Sequence, residues 1–371
     1  GAVNWFGGNL QALAQKSDYY SYNDFRKAQV KLRDMMQWGE KEASTFSQLA
    51  NLFKPYTESE SYELFKNAAS SKWKRWNFAD VAMYFMRKPE LKMQSANFEA
   101  ILKNMMVDDK NGKIVNITQY VKQSNPGRGD KSIPYEKRKE IEEKIKEEIK
   151  ELKEKKSILS TAITNKEGIL EIPGFNMDNK EEIQKLSILT KTLYRRLTGN
   201  ASQTSINQAK LDIFTSSIMV FKNWIPKLWY TRFGALEAKN DPFNRDAYDV
   251  GRMKVFMNVP GTIWEKTKNI KSILKGTDEG LNLLDEFFER YAREYEEQTG
   301  EKFTMRRDAF NDMIKQNLSN QVRELTILVS MLGAMIALGF IEPPDEDKES
   351  KAALAIAVNT LDRFYSELTF F

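Results

Sequence analysis

The sequence predicts a mainly all-α protein, an elongated assembly of helices and helical hairpins with at most a minor β-hairpin near 105–117. Three observations support this class. Apolar residues recur three and four positions apart along most of the 371-residue chain, which is the period of an amphipathic helix. A highly charged run at 135–156 keeps its few apolar residues on one helical face. An uncharged run at 325–341 has nearly the length of a membrane helix.

Composition narrows the classes of function. Hydrophobic residues make up 41% and charged residues 29% of the chain, so a core can be buried. The chain has no Cys and no His, which excludes disulfides, thiolate metal sites, His-containing triads and His-dependent zinc motifs. It also lacks the glycine-rich phosphate-binding motifs. We therefore expect no catalytic residues, no metal and no cofactor. The net charge of +5, with both signs interspersed, is unlike that of a dedicated nucleic-acid-binding domain.

The N-terminal region, 1–122, is predicted to be helical. Apolar residues recur at helical spacing over 22–53 and again over 78–86. Pro89, just after the second segment, should end that helix. A further helix is predicted over 95–106. These segments lead directly into the strand signal that follows.

The run 105–117 is the best strand signal in the chain. Asn111-Gly112 suits a tight hairpin turn, because both residue types tolerate positive φ. The same run has a weak likeness to a calcium loop. Val107 and Thr118 stand where that loop needs carboxylates, so a plain turn is favoured.

The middle of the chain is predicted to be a linker followed by a charged helical hairpin. Residues 123–134 are rich in turn-forming residues, as linkers are. The hairpin would occupy 135–199, with its two helices joined through 169–175 and the second helix over 180–198. Its first helix places its apolar residues on one narrow stripe, while charges three and four apart support the exposed faces. The stripe consists of Ile141, Ile145, Ile149 and Leu152.

The C-terminal region, 200–371, is again predicted to be helical. A helix is expected over 277–298, because its apolar residues share one face and its ends carry capping residues. The boundary residues are Thr277 or Asp278 at the start and Gly300 at the end. Thr304 is expected to cap the next helix.

An apolar helix at 322–341 has two interpretations. Its uncharged part spans about 26 Å, just short of a hydrocarbon core of about 30 Å. A helix buried among other helices gives the same pattern, and a downstream apolar helix at 354–368 is a ready partner. We favour burial, with transient contact with a host membrane as the alternative. The candidate residues in either case are Leu325, Gly333, Ala337 and Ile341.

Two segments interleave aromatic and basic residues. The first, 221–236, reads FKNWIPKLWYTRFGAL; a helix predicted over 205–225 should end at Pro226, so the aromatic residues after it are predicted to pack between helices. Nucleic-acid contact and a membrane or partner surface are the alternatives. Its candidate residues are Trp224, Pro226, Trp229, Tyr230, Arg232 and Phe233. The second segment is a candidate for DNA contact through stacking and phosphate pairing. It consists of Lys72, Trp73, Lys74, Arg75 and Trp76.

Four short motifs stand out within residues 221–256. They are Trp224-Ile225-Pro226, Arg232-Phe233-Gly234, Tyr248 and Gly251-Arg252-Met253-Lys254. Through these motifs the segment resembles a stretch of the very large virion proteins of crAss-like and related tailed phages of Bacteroidetes. The likeness extends over 220–371, through a long apolar helix to LDRFYSELTFF at 361–371, and is weaker at 107–122. It implies a structural or cargo protein and transfers no catalytic residues.

The same resemblance implies a location and partners. We expect the chain in the interior of the capsid or tail, in multiple copies, beside other virion proteins such as portal or tail components. It implies packaged DNA as a further partner and delivery into the host cell with the genome. It also implies a longer protein, whose other parts can hold enzymatic regions. Two alternatives remain open: a nucleic-acid-binding module that contacts packaged DNA, and a membrane-active ejection segment at 325–341.

Overall fold

The computed structural model describes residues 17–38, 40–55, 92–125, 130–165, 167–198, 230–239, 241–244 and 247–337. These residues form a mainly α-helical protein, as the sequence predicts, with short two-stranded antiparallel sheets between the helices. The helices predicted over 78–86, 205–225 and 354–368 lie outside the described residues.

The helices and strands are numbered along the described chain. The helices are α1 Tyr22–Trp38, α2 Glu40–Phe53, α3 at 92–102, α4 Ile117–Ser124, α5 Tyr135–Lys155, α6 Ile158–Thr161, α7 Lys180–Thr198, α8 Arg252–Asn258, α9 Ile263–Lys275, α10 Asp278–Thr299 and α11 Arg307–Ala337. A helical turn lies at 230–233. The strands are β1 Met105–Val107, β2 Ile114–Asn116, β3 Ile163–Thr164, β4 Leu170–Glu171, β5 Glu237–Ala238 and β6 Tyr248–Asp249.

The predicted β-hairpin is confirmed, because β1 pairs antiparallel with β2. Its turn is longer than the tight turn predicted at Asn111-Gly112. The Asp108 N–H donates to the Lys113 carbonyl at 2.9 Å, and the Asp108 carbonyl accepts from the Gly112 N–H, also at 2.9 Å. Gly112 has a φ of +66°, and it is the one residue of this turn with positive φ. The loop therefore turns through four residues, 109–112.

Two further hairpins were not predicted from the sequence. Strand β3 pairs with β4, and β5 pairs with β6, both in antiparallel register. Each strand has only two residues, which is too short for an alternating apolar pattern to show. The prediction of at most one hairpin, near 105–117, was therefore wrong for these two elements.

The first apolar cluster, which we call the N-terminal core, joins α1, α2, α3, β1 and the segment from α6 to α7. Phe98 of α3 lies at its centre, with its ring centroid 5.7 Å from that of Phe46 and 6.3 Å from that of Phe53. Phe53 in turn lies 6.2 Å from Phe175. Aromatic pairs at these separations stabilise a core beyond the area they bury.

The charged helix α5 confirms the predicted apolar stripe. Ile145 is buried, and Ile141, Ile149 and Leu152 pack beside it against Met106, Ile117 and Val121. The leucines of α7 face the N-terminal core instead. The two helices therefore contribute to different apolar clusters, and the hairpin at 135–199 stays a prediction. The connection between them is itself structured, with Ser157 capping α6 and bridging to Met106, and with β3 paired to β4.

The C-terminal core is the cluster formed by α8, α9, α10 and α11. Both predicted ends of α10 are confirmed. The Thr277 hydroxyl accepts from the Gly280 N–H, and Gly300 ends the helix in the left-handed conformation, with φ +70°. A Cβ on Gly280 would lie 2.2 Å from the Ser272 carbonyl oxygen, so glycine is what allows α9 and α10 to approach this closely.

Thr304 does not cap the helix that follows it. Helix α11 begins at Arg307, where Asp308 supplies an acidic residue to the first turn. The Thr304 hydroxyl lies 3.1 Å from the Tyr248 hydroxyl instead. The side chain that looked like a cap therefore pairs with a residue 56 positions away in sequence, a contact that no local pattern indicates.

Polar contacts connect the C-terminal core to the rest of the described chain. The buried Arg138 of α5 donates to the Asp278 carboxylate at 2.5 Å, where α9 gives way to α10. Lys131 pairs with Asp285 on α10. An apolar contact comes from Phe243, which follows β5 in sequence and packs against the N-terminal core. Among the described residues the two cores are separate apolar clusters, and ion pairs such as Arg138 with Asp278 connect the elements around them.

Candidate functional site

The residues that carry the sequence resemblance come together beside the C-terminal core. Arg232, Phe233 and Gly234 end the helical turn at 230–233, and Gly251 precedes α8. The β5–β6 hairpin returns the chain between them, and the Gly251 N–H donates to the Gly234 carbonyl at 3.0 Å. A Cβ on Gly251 would lie 2.5 Å from the Arg232 carbonyl oxygen. This close backbone approach leaves no room for a side chain at 251.

The two arginines of these motifs bind the same carboxylate. Arg232 Nη2 donates to Glu324 Oε1 at 2.7 Å, and Arg252 Nη2 lies 2.8 Å from Glu324 Oε2. Glu324 lies on α11 and is buried, and Arg252 is 2% exposed. We call Arg232, Arg252 and Glu324 the Arg–Glu–Arg cluster. It links the turn at 230–233, helix α8 and helix α11 through one shared anion.

The energetics of this cluster depend on Glu324. Removing charges from water costs several kcal/mol per ion, and the mutual attraction of the charges offsets that cost only while every partner is present. The approach of Arg252 Nη2 to Glu324 is an ion pair without hydrogen-bond geometry, and Arg252 Nε has no hydrogen-bond partner in the described part of the chain. The carboxylate of Glu324 is therefore the anion that both guanidinium groups contact, and Arg252 is the more deeply buried of the two.

We call the Arg–Glu–Arg cluster and the backbone contact between Gly234 and Gly251 the junction. Tyr248, the third element of the resemblance, connects the junction to the aromatic residues of the C-terminal core. Its ring packs edge-on against Tyr295 at 5.5 Å and against Phe303 at 5.0 Å. Asn317 of α11 also donates to the Val250 carbonyl at 3.0 Å. The resemblance residues that the structure describes are therefore held by packing and ion pairs within the fold.

A cleft of about 530 Å³ lies next to the junction, between the two cores. A hydrogen bond and two ion pairs connect residues that line it. The Tyr19 hydroxyl donates to the Asp241 carboxylate at 2.8 Å, and Lys122 lies 3.2 Å from both Asp18 and Asp312. Burial, reinforced by the negative charge of Asp241, raises the pKa of Tyr19 well above its ordinary value. Tyr19 therefore remains a neutral donor at neutral pH, and these contacts hold the N-terminal segment to α11.

Three of the six candidate residues at 224–233 lie within the described residues. Arg232 belongs to the Arg–Glu–Arg cluster, whereas the rings of Tyr230 and Phe233 are partly exposed rather than enclosed between helices. Burial and the nearby Glu237 carboxylate raise the pKa of Tyr230. The other candidates of this segment, Trp224, Pro226 and Trp229, lie outside the described residues, as do Lys72, Trp73, Lys74, Arg75 and Trp76.

The apolar candidates fall on the last turns of α11. Leu325 is half-buried, Gly333 is exposed, and Val329 between them is 64% exposed. Ala337 ends the helix, and Ile341 lies outside the described residues. No helix within the described ranges combines the length and the apolar character needed to cross a membrane. Burial of this segment is not seen among the described side chains and stays a prediction.

The run that has a likeness to a calcium loop forms the turn of the β1–β2 hairpin. The Asp109 carboxylate lies 2.6 Å from Lys156 Nζ, so a protein cation pairs with it. In the ranges that the structure describes, no three acidic side chains come close enough together to hold a metal ion.

Sequence reasoning missed the residue on which the junction depends. Glu324 stands in the apolar periodicity of α11, where a carboxylate is unusual, and that anomaly is the one local signal of its role. Its partner Arg232 is 92 residues away. The sequence pattern therefore marks both residues separately without showing that they meet.

No protein-family model, no curated protein and no solved structure matches the chain. The basis for a functional proposal is therefore the geometry of the junction and cleft, together with the sequence resemblance at 221–256. That geometry consists of ion pairs, such as those of Arg232 and Arg252 with Glu324, and of close backbone contacts at Gly251.

Proposed function

We propose that this chain is a structural or cargo protein of a tailed-phage virion, packed inside the capsid or tail and delivered with the genome. One observation carries the proposal. Among the resemblance residues that the structure describes, Arg232 and Arg252 share the buried carboxylate of Glu324. Residues in such a contact hold the fold together, which fits a structural role.

The partners follow from the same proposal. A protein packed in multiple copies in a confined lumen contacts other virion proteins, including portal or tail components, and the packaged DNA. The two separate apolar cores, joined by charged pairs such as Lys122 with Asp312, suit a chain whose parts separate without exposing a large apolar interface.

The test is the presence and protection of the chain in intact particles. Particles purified from cultures carrying the encoding genome are treated with protease before and after they are opened by osmotic shock, and peptides are quantified by mass spectrometry. We expect peptides from this chain at several copies per particle, protected until the particle is opened. A phage-encoded replication enzyme, absent from purified particles, is the control.

The contrary result is equally clear. If the chain is abundant in infected cells while purified particles contain no more of it than of the replication enzyme, the proposal is wrong. Removal of the chain by protease from unopened particles would place it outside the particle and would contradict an interior location.

A further inference from the structure

Three exposed apolar side chains lie where α8 ends and α9 begins, one in the last turn of α8 and two in the first turn of α9. Met257 is 61% exposed, Ile263 is 81% exposed and Trp264 is 82% exposed. We call these three residues the apolar tip. Large apolar side chains this accessible cost free energy in water, and a group of them marks a surface that meets another apolar phase.

The apolar tip is held in place by the backbone around it. Thr262 and Glu265 form a reciprocal capping box at the start of α9. Lys266 Nζ donates to the Met257 carbonyl at 2.7 Å, and Asn269 donates to the Pro260 carbonyl at 3.1 Å. The exposure of Ile263 and Trp264 is therefore built into an ordered loop and helix start.

A line of lysines continues from Trp264 along the same face of α9. Lys268, Lys271 and Lys275 follow it at helical spacings of four, three and four, and all three are exposed. The opposite face of α9 packs Ile270 and Ile273 into the C-terminal core. Helix α9 carries four Lys and one Glu, a net charge of +3. We call Lys268, Lys271 and Lys275 the lysine row.

We propose that the apolar tip and the lysine row bind the surface of a lipid bilayer that contains anionic headgroups. Trp264, Ile263 and Met257 would enter the interfacial region, where tryptophan is favoured, while the lysine row lies along the phosphates. This site is separate from the apolar run at 325–341 and needs no membrane-spanning helix. It goes beyond the proposed virion role and does not depend on it.

Charge and side-chain type favour lipid over the other occupants. Nucleic acid would account for the lysine row, but Ile263 and Met257 have no π-face on which bases stack, and α9 contains no arginine. A second copy of the chain would account for the apolar tip but would have to place its own lysines beside this row. An anionic bilayer satisfies both features at once.

The experiment is flotation of the full chain with vesicles of phosphatidylcholine alone and with vesicles in which phosphatidylglycerol replaces part of it. We expect binding to the mixed vesicles. The double variant Ile263→Ser/Trp264→Ser should lower the partition coefficient by at least about tenfold, since it removes two large apolar side chains from the contact. The double variant Lys268→Glu/Lys271→Glu should weaken binding to the mixed vesicles, and the difference should shrink as salt rises.

Two controls change exposed apolar and basic residues elsewhere on the surface. Ile169→Ser/Ile188→Ser alters two other exposed isoleucines, and Lys146→Glu/Lys150→Glu makes the same change in net charge on α5. Both controls should bind mixed vesicles as the original chain does. Circular dichroism confirms that each variant keeps its helix content.

Four results would overturn the proposal. The first is that the original chain does not bind mixed vesicles at low salt. The second is that the Ile263→Ser/Trp264→Ser variant binds as well as the original chain, and the third is that a control variant loses as much binding as the test variants. The fourth is that the chain binds duplex or single-stranded DNA, or associates with itself, but does not bind vesicles, and that the same variants abolish this other binding.

Discussion

Replacing Glu324 with glutamine is expected to destabilise the C-terminal core by about 3–5 kcal/mol, because the change leaves two arginines without their shared anion. Glutamine keeps the shape of the side chain, so the effect isolates charge. Arg252 is almost completely buried and cannot regain solvation without moving α8. Urea unfolding followed by near-ultraviolet circular dichroism, which reports on the aromatic residues of this core, measures the loss as a lower midpoint at unchanged slope.

The control for this prediction is Glu297→Gln on α10. Glu297 is exposed, and the substitution makes the same chemical change with an expected effect within about 0.5 kcal/mol. Equal midpoints for the two variants would show that the Arg–Glu–Arg cluster contributes no more than an ordinary surface charge.

Replacing Phe310 with alanine is expected to cost about 3–5 kcal/mol, the range for a large aromatic removed from a well-packed core. Phe310 is fully buried, and its ring centroid lies 5.2 Å from Phe288, 6.0 Å from Tyr291 and 6.2 Å from Phe303. The cavity left behind removes contacts from all three rings. The same urea unfolding measurement reports the loss.

Val329→Ala is the matched control on the same helix. Val329 is mostly exposed, so its truncation should change the unfolding free energy by less than about 0.5 kcal/mol. If Phe310→Ala costs no more than Val329→Ala, the aromatic residues around 310 are not the centre of a packed core.

Local signals were enough to predict the helices that depend on sequence neighbours. The apolar stripe through Ile145 predicts α5, and Thr277 and Gly300 predict the two ends of α10. Both signals depend only on residues that are close together in sequence. The β1–β2 hairpin was predicted from Asn111-Gly112 for the same reason, although the turn proved to be longer.

Features that depend on distant partners could not be predicted. Arg232 meets Glu324 across 92 residues, and Tyr19 meets Asp241 across 222 residues, so no window of the sequence contains either pair. The same limit explains Thr304, whose partner is Tyr248 rather than the start of α11. The local sequence around Thr304 is compatible with a helix cap, and the contact with Tyr248 shows that tertiary structure gives this side chain a different role.

The Arg–Glu–Arg cluster is the point at which sequence resemblance and structure coincide. Arg232 and Arg252 come from separate motifs, and both contact Glu324, Arg232 through a hydrogen bond and Arg252 through an ion pair. A guanidinium keeps its charge when it is buried, which gives both positions a structural reason to be arginine. The central claim is that these residues act as one energetic unit.

A double-mutant cycle between Arg252 and Glu324 tests that claim most directly. The free energy of unfolding is measured for the original chain, Arg252→Met, Glu324→Gln and the double variant. Once the carboxylate is gone, removing the Arg252 charge should cost little, so the double variant should lose about 0.5–3 kcal/mol less than the sum of the single losses. Additive losses, equal to that sum within about 0.3–0.5 kcal/mol, would contradict the claim that the cluster is one unit.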